Sequence, residues 1–459
     1  MKRLSLIIII VAALSSCSKA PSPLYPVPTD NQLKWQQLET YAFIHFGLNT
    51  FNDMEWGYGN TPAATFNPTN LDCDQWAATL KAAGIKGVIL TAKHHDGFCL
   101  WPTKSTDYNI SKSPYKNGNG DIVKELSDAC RRQGLLFGIY CSPWDRNNAR
   151  YGYPEYVATY HQQIQELTSN YGPLFEFWFD GANGGDGYYG GANETRQIDH
   201  NKYYDYQRAK DIVLSQNPSA MIFGGPYQTV RWVGNEKGFA YATNWSNITE
   251  NGAEYQPVEV DVSIRPGWFY HENEDAKVKT VKELCDIYYQ SVGRNANLLL
   301  NFPVATNGMI HPIDSTRAVE FYKTISNELR HNLLADADVK ADDERGSKFS
   351  ASKVNDGDLE TFWATHDDYP YGTISFSMDN PVTMSRVMIQ EYIKLGQRVK
   401  SFYLEGALDG EYFPIRTYDT TTTVGYKRIV RFDPVEVDKL IIYFDESRGP
   451  LCISNIEAY

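Results

Sequence analysis

Residues 121–140 read Asp121-Ile122-Val123-Lys124-Glu125-Leu126-Ser127-Asp128-Ala129-Cys130-Arg131-Arg132, then, after two residues, Leu135-Leu136-Phe137-Gly138-Ile139-Tyr140. Ile122, Leu126 and Ala129 fall on one stripe at helical spacing, and 135–140 is a short apolar block of strand length. A helix followed by a buried strand is the repeating unit of a parallel sheet covered by helices. Outward from this unit the pattern recurs, with strands predicted at 42–46, 87–92, 174–179, 220–223, 258–264 and 298–301. Helices are predicted between them at 73–83, 155–169, 202–215 and 278–293, with a closing one at 316–332. The fold class is therefore α/β, and the length and repetition favour a (β/α)8 TIM-like barrel over 31–335. Seven strands are placed this way; the eighth is not.

The texture changes past residue 335. A polar, charged stretch at 336–347 suits a linker, and from 348 to 459 the helical period is gone. Short β-branched and aromatic runs separated by Gly, Asp, Asn and Pro predict an all-β sandwich. Its details, Ser350-Ala351-Ser352, Asn355-Asp356-Gly357-Asp358 and Thr361-Phe362-Trp363-Ala364, resemble the discoidin-like (F5/8 type C, galactose-binding-like) module. The resemblance implies either a sugar-binding or a bracing role. The oxygens clustered at the Asp356 turn make it a candidate for a structural Ca2+.

At the other end, Lys2 and Arg3 precede an apolar run from Leu4 to Leu14 and then Leu14-Ser15-Ser16-Cys17. That run is too short for a stable membrane span and reads as an export signal over 1–17. The small residues before Cys17 resemble a bacterial lipoprotein box. Lipidation of Cys17, followed by a Pro-rich tether at 18–30, would anchor an exported protein in the cell envelope through its N-terminal lipid alone. The other six cysteines are scattered without metal-ligand spacing and read as buried small hydrophobes. A net charge of −13 argues against nucleic acid as a partner. Aromatic residues make up 14% of the chain, with 10 Trp and 32 Tyr, a content that suits stacking against sugar rings.

In a barrel, polar residues just past the strand ends are the default site candidates. Here they are His45, Glu55-Trp56, Lys93-His94-His95-Asp96, Tyr140, Trp144-Asp145, Trp178, Asp180-Gly181, Arg231-Trp232, Asn235-Glu236, Arg265 and Trp268. Singly, each has a structural reading as core, cap or satisfied polar group. Together they gather imidazoles, carboxylates and indoles at one rim. Three histidines without an HExxH pairing do not make a zinc site, so no metal is expected in the catalytic site. Glycoside cleavage needs two carboxyl groups across the scissile bond. Asp180, ending an apolar strand before Gly181, is the expected nucleophile. Glu236 is the expected acid/base, since an apolar surround of Trp232 and Phe239 would favour its protonated form; Glu254 and Glu259 stand next in line.

Read in order, Phe43-Ile44-His45-Phe46-Gly47, Glu55-Trp56-Gly57, Lys93-His94-His95-Asp96-Gly97-Phe98, Phe177-Trp178-Phe179-Asp180-Gly181 and Ser263-Ile264-Arg265-Pro266-Gly267-Trp268 resemble the α-L-fucosidases of glycoside hydrolase family 29. The resemblance runs across most of 30–330. It implies a retaining mechanism on Asp180, no required cofactor, and a fucose pocket lined by His45, Glu55, Trp56, His94, His95, Tyr140 and Trp178. Trp178 or Trp268 would face the C5 methyl. Arg231-Trp232-Val233-Gly234-Asn235-Glu236 resembles the α-1,3/1,4-specific subfamily, with Arg231 and Trp268 joining the substrate contacts. The partners so implied are fucosylated oligosaccharides or glycoprotein glycans of Lewis type. Another retaining barrel glycosidase, such as a galactosidase, and a non-catalytic glycan-binding lipoprotein are the alternatives. The Gly-rich stretch from Gly181 to Gly191 has no counterpart in the pattern.

Overall fold

A computed structural model describes residues 19–247 and 249–459. Cys17 and the stretch read as an export signal lie outside the described residues. Eight parallel strands run in the order β5-β4-β3-β2-β1-β8-β7-β6, where β1 is Thr40–His45, β2 Gly87–Lys93, β3 Leu136–Cys141, β4 Glu176–Trp178, β5 Met221–Phe223, β6 Arg231–Trp232, β7 Val258–Ser263 and β8 Ala296–Pro303. A parallel bridge between Phe223 and Val230 joins β5 to β6 and brings the ends of the sheet together. The eighth strand is thus β6, two residues long and composed of Arg231 and Trp232. Two residues carry no periodicity, which is why pattern reading places them in a loop.

Side-chain alternation sorts each strand between two cores. On β1, Ala42 and Ile44 pack outward against the helices, while Tyr41 and Phe43 point into the barrel. The inner cluster also takes Ile89, Tyr140, Trp178, Phe223 and Leu299. Trp35, from the short helix Asp30–Gln36, adds to it. On β7 the sequence Val-Glu-Val-Asp-Val-Ser sends its valines to the helix side and places Glu259, Asp261 and Ser263 on the other face.

The helices follow the expected stripe, with differences that local chemistry explains. The helix expected at 202–215 is two, His200–Tyr203 and Tyr206–Gln216. Asp205 between them sits at φ +46 and caps the second through the Arg208 amide. The closing helix starts earlier than expected, at Pro312, because His311 caps it and proline suits the first turn. The six described cysteines are free and buried.

The C-terminal residues form one seven-stranded antiparallel sheet around a second apolar core. Its two 20-residue strands, Gly372–Glu391 and Arg428–Ser447, pair through register shifts near Ser377–Val382 and Met384–Arg386, the bulges that let a sheet bend over its own core. Two boundaries differ from expectation. Within the stretch read as a linker, Asp338–Ala341 is an edge strand of this sheet, paired with Ile374–Ser377. The stretch read as a tether is held on the same module: Arg345, Arg398 and Arg448 donate to the carbonyls of Lys19, Ser22 and Tyr25, and the Leu24 amide to Leu395. The Asp356 turn does not fit Ca2+. Its carboxylate already accepts from the Asp358 amide, the Thr361 hydroxyl and the Lys353 ammonium, which a cation would have to displace.

Arg265, read from sequence as a mouth residue, is fully buried. Its Nε donates to Asp314 Oδ2 at 2.7 Å and its Nη1 to Asp275 at 2.7 Å, tying the loop after β7 to the helix Pro312–Glu328. Breaking a buried ion pair strands the remaining charge. Asp314→Ala should therefore lower unfolding stability by about 3 kcal/mol in a urea titration followed by tryptophan fluorescence. A loss below about 1 kcal/mol would show that Asp275 alone suffices.

Candidate active site

A cavity of about 480 Å³ opens at the C-terminal ends of the strands. Its lining includes His45, Trp56, His94, His95, Tyr140, Trp178, Asp180, Gly181, Trp232, Glu236 and Trp268, all residues singled out from sequence. Asp180 follows β4 and is fixed from two sides. The Tyr140 hydroxyl donates to Oδ2 at 2.8 Å, and the Ala182 amide donates to Oδ1 at 2.7 Å. His95 Nε2 stands 3.9 Å from Oδ2. The Tyr140 hydroxyl is held in its protonated form, its pKa pushed far up by burial and by the adjacent Asp180 charge.

The three imidazoles are neutral at neutral pH because burial disfavours their charged form; His45 is lowered to about 4, and His94 and His95 also fall. Their partners assign the tautomers. Asn301 donates through Nδ2 to Ser263 Oγ and Trp268 O, so its Oδ1 accepts from His45 Nδ1 at 2.7 Å. Ser142 donates to the Trp144 carbonyl, so its oxygen accepts from His95 Nδ1 at 2.7 Å. On both rings Nε2 is left as an acceptor. His94 is the reverse: Asn49 Nδ2 donates to its Nδ1 at 3.2 Å, leaving Nε2–H as a donor. Acceptors and a donor side by side suit hydroxyl groups of a neutral ligand.

Aromatic rings form the apolar part of the wall. Trp178 stacks on Phe223 at 3.9 Å and 5°, and on Tyr140 at 5.4 Å and 26°. Trp56 is half exposed and packs edge-on against His95 at 5.1 Å. Glu236 sits at the exposed rim, where the Trp268 indole donates to it at 3.3 Å. Enclosure of Glu236 by Trp232 and Phe239 is not found, because Trp232 is itself 42% exposed and its indole is engaged elsewhere, donating to Asp261 Oδ1 at 2.7 Å.

Two expected contacts turn away from the cavity. Arg231 alternates with Trp232 on β6, so while Trp232 lines the site the Arg231 guanidinium runs to Asn244 Oδ1 and to the Trp245 and Asn247 carbonyls. The Glu55 carboxylate is taken up by the amides of Trp268 (2.9 Å) and Phe269 (3.0 Å) and by His271 (2.8 Å). Burial pulls the His271 pKa down, but its bonds to Asp53 and Glu55 carry it above its ordinary value, so it bridges the two carboxylates. The reserves for the acid role lie elsewhere too. Glu254 is exposed beside Gln256, and Glu259 is buried beneath Trp178, which donates to it at 2.8 Å.

Asp261 and Gln228 line the cavity and were not singled out. The signal for Asp261 was present, since the Val-Glu-Val-Asp-Val alternation on β7 sends Asp261 to the face opposite the valines. Burial and the neighbouring Glu259 raise its pKa well above the carboxylate range. Gln228 sits in the irregular turn between β5 and β6 and carries no such signal. The Gly-rich stretch forms a two-stranded hairpin, Gly185–Gly187 with Glu194–Arg196, held beside the mouth by Arg146, which donates to the Asp186 carbonyl. Among the described residues no group of three His, Cys, Asp or Glu is arranged to hold a metal ion.

A TIM-like barrel with carboxylates, neutral imidazoles and indoles at its C-terminal mouth defines the chain as a barrel hydrolase of the glycoside-cleaving kind. Comparison with known proteins gives the family. Residues 24–324 match the α-L-fucosidase family and residues 338–457 the F5/8 type C domain, so the chain belongs to the α-L-fucosidases. It is 37% identical over 462 residues to Alpha-L-fucosidase 1 of Arabidopsis thaliana, covering 96% of this chain and 88% of that one. A solved glycoside hydrolase 29 family member from an unknown rumen bacterium is 43% identical, with a TM-score of 0.85 over 96% of this chain and 78% of the other. A Ruminococcus gnavus GH29 fucosidase in complex with fucose is 32% identical, with a TM-score of 0.87 over 96% of both chains.

Because His45 is neutral through burial, its ring should not titrate between pH 8 and 5 in NMR of histidine-labelled protein. An inflection near 6.5, the value of a free imidazole, would show that the pocket leaves the ring solvated.

Proposed function

We propose that this α-L-fucosidase removes terminal α-1,3- or α-1,4-linked fucose from branched, Lewis-type glycans by double displacement, with retention of configuration. The observation that carries the reading is that Asp180, oriented by Tyr140 and the Ala182 amide, shares one cavity with Glu236. Asp180 attacks the anomeric carbon while Glu236 gives its proton to the departing glycosidic oxygen. Glu236 then takes a proton from water, which displaces Asp180 and releases fucose. The rim position of Glu236 favours this role, because the departing sugar lies outside the pocket. His45, His94 and His95 bind the hydroxyls of fucose. The C5 methyl rests on the apolar wall that includes Trp178 and Phe223, where a sugar bearing a C6 hydroxyl is at a disadvantage. No step requires a cofactor or metal.

The test is release of free fucose from Lewis-type trisaccharides, set against an α-1,2-fucosylated glycan and α- and β-galactosides. Asp180→Ala should lower kcat on the order of 10⁴-fold or more while the melting temperature holds. Glu236→Ala should cost roughly 10²- to 10⁴-fold on trisaccharides, with azide restoring turnover of substrates that carry an activated leaving group. Full activity of Asp180→Ala would remove it from the reaction. Preference for the α-1,2 glycan would overturn the linkage assignment.

We also propose that Cys17 is lipidated and anchors the exported enzyme in the cell envelope. In cells expressing the full chain, Cys17→Ala should move the enzyme from the membrane fraction to the soluble fraction. An unchanged distribution would rule the anchor out.

A further inference from the structure

The segment that presents Glu236 leaves the barrel at Trp232 and returns to it at Val258. Its first anchor is the pairing of Arg231 and Trp232 with Val258 and Glu259. Its second is shared between the barrel, where Arg231 donates to Asn244 Oδ1 and to the Trp245 and Asn247 carbonyls and Asn295 Nδ2 donates to the Asn244 carbonyl at 3.2 Å, and the C-terminal module. The Ala242 carbonyl accepts from Thr422 Oγ1 at 2.8 Å and from Arg428 Nη1 at 2.8 Å. The Asn244 amide donates to Thr423 Oγ1 at 2.8 Å. Gln397 binds both sides of the chain, its Nε2 donating to the Asn244 carbonyl at 2.9 Å and its Oε1 accepting from the Ser246 amide at 2.7 Å. Gln397, Thr423 and Arg428 are all buried here.

Buried peptide groups need partners, and here side chains of the module, together with Arg231 and Asn295 of the barrel, supply them in place of secondary structure. Arg294 completes the clamp from the barrel side, donating to the Ala240 carbonyl at 2.7 Å and pairing in bidentate fashion with Asp419 of the module. Glu236 stands between the two anchors on a short span whose turns are made by Gly234 (φ +91) and Gly238 (φ +81). A span pinned at both ends holds its central side chain in place, and loosening one end widens the range that side chain samples.

We infer that the C-terminal module positions the acid/base, with Thr423, Gln397 and Arg428 as positioning residues that act through the 240–247 backbone. The inference rests on the reading of Glu236 given above. General-acid assistance matters most when the leaving group is a poor one, so the module's contribution should depend on the leaving group.

The experiment measures kcat/KM of the full-length enzyme on two substrates sharing the fucosyl group: a Lewis-type trisaccharide, whose sugar must be protonated to leave, and α-L-fucosyl fluoride, whose fluoride needs little acid help. Thr423→Val and Gln397→Ala should lose roughly 10- to 100-fold on the trisaccharide and stay within about twofold on the fluoride. Thr423→Ser should restore most of the loss. Thr422→Val, which removes a single hydrogen bond, should show a smaller loss of the same selectivity, and covers the case in which a stronger variant fails to fold. Glu236→Gln is run in parallel. If it is selective and the module variants lose both substrates equally, or neither, the positioning role is overturned. If Glu236→Gln is itself unselective, the acid/base reading fails and the inference falls with it.

Discussion

Three buried carboxyl groups inside the barrel are each held by an indole N–H: Glu176 by Trp35, Glu259 by Trp178 and Asp261 by Trp232. Burial drives all three toward the neutral acid, lifting Glu176 to about 7 and Glu259 and Asp261 well above their ordinary values. A protonated carboxyl can accept from an indole and still donate onward, so the interior tolerates polar groups that would otherwise be costly. Tyr41 adds a second bond to Glu259. The mouth leans on this floor. Trp178, tethered from below, stacks on Tyr140, and Tyr140 in turn orients the carboxylate of Asp180. If the indole anchor moved, the ring above it and the carboxylate beyond would move too.

Above that floor the pocket is electrically restrained. His45, His94 and His95 are uncharged, and their roles as donor or acceptor are set by Asn301, Asn49 and Ser142 rather than by solvent. A fucosyl group carries hydroxyls and no charge, and a site of fixed, neutral hydrogen-bonding groups matches it without a desolvated ion to compensate. Asp180 lines the same cavity, with Glu236 at its exposed rim.

Much of this was legible in the chain, for reasons that differ by residue. Seven strands announce themselves as apolar runs, and the helix stripe of Ile122, Leu126 and Ala129 is preserved in the fold. The residues lining the mouth follow from strand ends, so Asp180, Tyr140 and the histidines were found by position. Orientation within a short element was harder to read. Nothing in a two-residue strand says that Trp232 faces in while Arg231 faces its own loop. Glu55 failed for another reason: its partners, the amides of Trp268 and Phe269, lie more than two hundred residues away, and backbone donors leave no mark in a sequence. The strand at Asp338–Ala341 was hidden because an exposed edge strand has the polar composition of a linker.

The N-terminal strap runs along the C-terminal module, with its carbonyls received by three arginines of that module. The segment that enters the barrel and the segment that leaves it are therefore committed to the same appended body. Such a module is no detachable cassette. Grafting it from one fucosidase onto another would transplant a docking surface without its matching strap, and trimming it away would strip residues 19–25 of the side chains that receive their carbonyls.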